Sequence, residues 1–181
     1  GAARRAGPGV SGRRQGRGTV ASVGPRTSVG YLAGAGRPAD LCETADRLAV
    51  ADAGGVPMGG SLSQPSQSPT FIAWADKDPG TATNPGIDLQ RLQIIKGWLD
   101  NNGDLQGKIY DVACSDDREI GTSKRCERLV GSTVDVAAAS YTNSIGDAFL
   151  MAYWEDPDFD RNERAFYYVR VLEIPTPRWT T

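Results

Sequence analysis

Asp156-Pro157-Asp158-Phe159-Asp160, preceded by Glu155, is the densest run of carboxylates in the chain. Acids at alternate positions are how many calcium loops begin, because Ca²⁺ takes oxygen ligands alone. An EF-hand also needs a mid-loop glycine and a closing glutamate; Arg161 and Tyr167 stand at those places, so that reading fails. A looser calcium site on Glu155, Asp156, Asp158 and Asp160 stays open, beside the plainer reading of a solvated turn with an aspartate capping a short helix. Asp116-Asp117 and Asp76 with Asp78 offer carboxylate pairs for general acid–base work, but nothing in their spacing joins them. Serines are plentiful and the chain has no histidine. That removes the base of a conventional serine triad and the commonest transition-metal ligand. Three cysteines remain, Cys42, Cys114 and Cys126, too scattered for a thiolate zinc site. Cys114 and Cys126 flank a polar loop and either pair, if the protein is exported, or stay as half-buried thiols.

Gly55-Val-Pro-Met-Gly-Gly60 is a second segment worth weighing. A glycine-rich loop cradles phosphate when a helix N-terminus follows it. Here Ser61 to Pro69 is a Ser/Gln/Pro-rich loop, so a tight turn needing positive φ is the better account. Trp74, Trp98, Trp154 and Trp179 could line a sugar or peptide groove; three of them lie in strand patterns, where core packing is the commoner fate.

The elements that must hold these residues read mainly as strands. Phe166 to Ile174 is aromatic and β-branched, with Phe166, Tyr168, Arg170, Leu172 and Ile174 on one face and Tyr167, Val169, Val171 and Glu173 on the other. Apolar groups on both faces predict a central strand covered on both sides, ended by Pro175 and Pro177. Thr70–Ala75, Leu89–Leu99, Lys108–Cys114, Thr133–Tyr141 and Asp147–Trp154 read as further strands, and Thr27–Leu32 as a shorter one. Asp100-Asn-Asn-Gly103 is a hairpin turn. Ala39–Ala53 has helical periodicity, and Glu155–Glu163 reads as one helical turn. The spacing predicts a β-sandwich or curled mixed sheet of about seven strands with one or two short helices.

Composition sets the remaining bounds. A chain of 181 residues, 39% hydrophobic and 23% charged, is long enough for one domain with a real core. Residues 1–18 hold five arginines, six glycines and no acid, and read as a disordered tail. Arginine outnumbers lysine 16 to 4 overall, as GC-rich coding gives, and a Gly/Ala/Arg/Pro mixture is what such DNA yields in a wrong frame. Out-of-frame translation of that tail is therefore a further expectation. The remainder is mildly acidic, which argues against nucleic acid. No apolar run is long enough for a membrane helix.

Several stretches together resemble a known family. They are Gly24-Pro25-Arg26, Gly55-Val-Pro-Met-Gly-Gly60, Lys77-Asp-Pro79, Asp88-Leu-Gln-Arg-Leu-Gln-Ile-Ile-Lys-Gly-Trp98, Tyr110-Asp-Val-Ala113, Tyr141-Thr-Asn-Ser-Ile-Gly146, Trp154-Glu-Asp-Pro-Asp-Phe-Asp160 and Ala165 to Trp179. In order, from about Thr19 to Thr181, they resemble the C-terminal part of a large bacterial family catalogued as a domain of unknown function. Its full-length members resemble PHP (polymerase and histidinol phosphatase) metal-dependent hydrolases. The resemblance implies a periplasmic or secreted setting and an upstream barrel domain that holds divalent metal. This chain carries none of the barrel's His- and Asp-rich motifs, so no catalytic residue and no metal ligand transfers to it. In the family a Ser/Thr-Ser-Gly-Pro-Arg segment closes the barrel, and Ala21-Ser22-Val23-Gly24-Pro25-Arg26 corresponds to it with Val23 at one polar position. Arg26 is thus the residue expected nearest a substrate. The expectation is a β-rich accessory region over residues 19–181, a fragment with no cofactor of its own, whose partner is that barrel. The alternative is a free-standing binding module using a Trp/Tyr surface.

Overall fold

The computed structural model describes residues 27–35, 55–62 and 67–177. Arg26, Cys42, Trp179, the Ala39–Ala53 periodicity and the arginine-rich tail lie outside them. The described residues form nine strands: β1 (Ser28–Ala35), β2 (Val56–Pro57), β3 (Pro69–Asp76), β4 (Leu89–Leu99), β5 (Leu105–Cys114), β6 (Val134–Asp135), β7 (Ser140–Tyr141), β8 (Phe149–Glu155) and β9 (Ala165–Glu173). Every pairing is antiparallel. One sheet runs β2-β1-β3-β8 and the other β5-β4-β9, with β6-β7 a separate small hairpin. This is the mainly β fold expected; no helix occurs among the described residues, against the one or two expected.

The two sheets face each other, and side-chain alternation decides what lies between them. Tyr31, Ala33 and Phe71 from the first sheet meet Ile94, Val112, Tyr167 and Val169 from the second. Further along, Ala75 and Leu150 meet Leu89, Leu92 and Val171. Phe71 is the hub of an aromatic cluster, with Tyr31 at 5.5 Å, Trp154 at 5.4 Å and Tyr167 at 4.7 Å between ring centroids. Burying side chains of this size stabilises by about 1.5–3 kcal/mol each.

Three expectations need correction. β9 is an edge strand: among the described residues it pairs with β4 alone. Its Tyr167/Val169/Val171 face is inward, while Phe166 and Tyr168 on the other face remain 55% and 39% exposed. Apolar groups on both faces therefore marked one core face and one uncovered face. Residues 133–141 form not one strand but the β6-β7 hairpin, turned at Ala139, which takes φ 49°. Residues 155–163 form turns rather than a helical turn, because Asp156 and Asp160 spend their carboxylates on the amides of Asp158 and Asn162, two residues on.

Candidate functional site

Inward alternation along β4 places Lys96 in register with Leu92 and Ile94, and along β8 it carries Asp156 inward after Trp154. A charge at a core position needs a partner. Lys96 Nζ lies 2.8 Å from Asp156 Oδ2, with the two side chains 2% and 0% exposed. Lys96 also donates to the Asp158 carbonyl at 2.6 Å, lies 3.7 Å from Glu163, and sits over the Trp98 ring at 5.3 Å. Tyr167 donates to Asp156 Oδ2 at 2.7 Å. Asp158 accepts from Lys108 at 2.6 Å and from the Tyr110 hydroxyl. These donors from Lys108, then Tyr110, hold the Asp158 carboxyl below its usual range. Burial, then the hydrogen bond to its aspartate, pushes the Tyr110 and Tyr167 hydroxyls upward.

This clamp straps the 156–163 turn onto the second sheet, and the turn becomes one wall of a cleft of about 720 Å³. Tyr31, Phe71 and Tyr167 line it, together with Met58 and Leu62 from the segment after β2 and Phe159 from the turn. The turn after β2 depends on Gly59, at φ +88°, and is closed by the Gly60 amide donating to the Pro57 carbonyl at 2.9 Å. The glycine-rich segment therefore works as a tight turn, in keeping with the sequence.

The acidic run does not fit a metal ion. Lys96 already supplies the positive charge beside Asp156, Lys108 does so at Asp158, and Asp160 is taken up by Asn162. Among the described residues no group of three or more His, Cys, Asp or Glu is placed to hold a metal. Asp116 accepts from the Gly146 amide at 3.0 Å, and Asp78 accepts from the Gly80 amide at 2.9 Å. Lys77, in the Lys77-Asp-Pro79 stretch, pairs with Asp88.

Opposite the cleft wall, on the outer face of the second sheet, a row of polar groups runs across three strands. Arg170 Nε donates to Gln93 Oε1 at 2.8 Å, and Gln93 donates to Asp111 Oδ1 at 2.6 Å. Asp111, fully buried, also accepts from the Cys126 amide at 2.9 Å, and Arg125 and Arg91 lie 3.4 and 3.5 Å from it. Cys126 and Cys114 are joined as a disulfide, with Cα atoms 6.1 Å apart. Arg118, 7% exposed, anchors the same loop by donating to the carbonyls of Ser115, Arg128 and Gln90. Beside this row the face turns apolar: Tyr168 is in register with Ile95 and Ile109, and Phe166 with Gly97, with Leu99 and Leu105 at the far end. Leu99 and Leu105 are 50% and 73% exposed. Phe166 and Tyr168 stack at 6.4 Å, and Phe166 lies over Gly97, where a Cβ would come within 2.4 Å of its ring.

Lys96, Tyr31 and Asp111 were not singled out from the sequence. The available signal was parity at Lys96, since a lysine at an inward position of an apolar strand requires a partner. Of the tryptophans, Trp154 packs in the core against Phe71 and Tyr110, and Trp74 lies on the outer face of the first sheet with Leu32 and Ile72. Residues 13–181 match the model of a family described as a protein of unknown function (DUF3604). No curated protein and no solved structure matches the chain.

Proposed function

The chain belongs to that family of unknown function, DUF3604, and we propose that it acts as a non-catalytic accessory domain, packing on a PHP-type metal-dependent hydrolase domain and shaping access to it. The observation that carries this reading is the apolar outer face of the β5-β4-β9 sheet, with Phe166, Tyr168, Leu99 and Leu105 uncovered. A soluble protein rarely leaves a contiguous face of this kind without a partner. The arginines around Asp111 border it, as polar groups border the apolar centre of an interface. The resemblance outlined above supplies the partner class, and any divalent metal would be held by that partner.

The test compares two polypeptides, the 181-residue chain alone and the same chain preceded by a PHP-type domain. The chain alone should bind an apolar fluorescent dye at neutral pH, and Phe166→Ser/Tyr168→Ser should reduce the signal severalfold. The joined polypeptide should bind little dye. A chain that binds no dye and melts cooperatively as a monomer sinks the accessory reading and favours a free-standing binding module.

A further inference from the structure

Arg91 carries the only buried side-chain polar atom without a hydrogen-bond partner among the described residues, its Nε. Its Nη1 stands 3.5 Å from Asp111 Oδ2, too long for a good hydrogen bond, and its side chain is 29% exposed. A planar fork of five donors is therefore barely used. The surroundings are cationic, although the chain beyond its tail is mildly acidic. Arg125 Nη1 lies 3.4 Å from the other oxygen of Asp111, and Gln93 links Arg170 to that same oxygen through hydrogen bonds of 2.8 and 2.6 Å. Three arginines thus gather about one carboxylate. Arg118 senses the crowding: burial lowers its pKa first, and Arg91 and Arg128 lower it further against the pull of Asp116 and Asp111.

This row continues the apolar face. Arg91 is in register with Leu172, Gln93 with Arg170, Ile95 with Tyr168 and Gly97 with Phe166. We propose that the domain docked on this face presents an acidic side chain, which Arg91 receives with Arg125 and Arg170 beside it. The inference rests on the accessory reading and adds the chemistry of the partner's contact. Three cations about one carboxylate leave a surplus of positive charge that a second carboxylate reduces, and its two oxygens match the arginine fork. Nε is closed to water in the free chain, so Arg91 turns from Asp111 toward the incoming acid, while Arg125 stays to balance Asp111. A buried donor without an acceptor raises the free energy of the free chain, and docking relieves it. The apolar groups supply contact area, and the charge pair fixes orientation and register.

The test uses the joined polypeptide, and its readout is the urea concentration at which the apolar dye begins to bind. Arg91→Gln and, separately, Arg170→Glu should lower that concentration, each by the equivalent of about a tenfold loss in the ratio of docked to open forms. Arg91→Lys keeps the charge and loses the fork, so it should lower it less than Arg91→Gln. In the chain alone, the same substitutions should leave dye binding unchanged. Arg170 is exposed, so its variant reports on docking even if Arg91→Gln disturbs the fold around Asp111. A joined parent that excludes dye, with every variant excluding it up to the same urea concentration, overturns this inference and leaves the accessory reading standing. A joined parent that binds dye as strongly as the chain alone overturns both.

Discussion

Lys96 and Asp156 are a buried ion pair, and such a pair is defined by what happens when one member is lost. Removing one charge leaves the other uncompensated in the interior, at a cost of about 3–5 kcal/mol, whereas replacing both with apolar groups is often tolerated. Lys96→Met should therefore lower stability by about 3–5 kcal/mol in urea denaturation, and Lys96→Met/Asp156→Leu should recover most of it. A single variant as stable as the parent means the clamp contributes nothing. Asp158 gives a second handle, through pH. Lys108 and Tyr110 hold its folded pKa below the ordinary value of 3.8. The stabilisation is therefore complete above the unfolded value and lost as pH falls through the folded one. Asp158→Asn removes the titrating group. Between neutrality and the region below about pH 4, the parent should lose more stability than Asp158→Asn. Equal acid sensitivity in thermal melts taken across that range would show that Asp158 takes no part.

Among the elements, the loop between β5 and β6 is held by more than its backbone. Cys114 and Cys126 close a loop with a sequence separation of 12, and Arg118 ties three of its neighbouring carbonyls. A cross-link of this span stabilises by about 2–4 kcal/mol, chiefly by restricting the unfolded chain. Reductant, or Cys114→Ala/Cys126→Ala, should lower the melting temperature accordingly, with Arg118 keeping the loop near its place. An unchanged melt on reduction would mean the bond adds no stability. β9 shows a different principle. Its inner face is core and its outer face is the stack of Phe166 on Tyr168, made possible because Gly97 has no side chain beneath the Phe166 ring. An edge strand with an apolar outer face invites pairing or packing by another surface.

At the scale of the molecule, the proposed accessory role rests on one surface, the outer face of the β5-β4-β9 sheet. The dye experiment addresses it, because burial against another domain removes apolar exposure from water. What the sequence by itself determined was the local part. The bounds of β4 are those read from its composition, and the Asp100–Gly103 turn is there, with the Gly103 amide donating to the Asp100 carbonyl. The absence of histidine ruled out a conventional serine triad before any fold was known. These follow from alternation, turn chemistry and composition, which act over a few residues. Tertiary structure decided the rest. Whether β9 lay inside or at an edge depended on which strands flank it, and that is set by pairings far apart in sequence. The acidic run became a clamp rather than a cation site because β4 delivers Lys96 to it across 60 residues, from 96 to 156. A local pattern specifies which way a side chain points; what it meets there is specified by the packing of the whole chain.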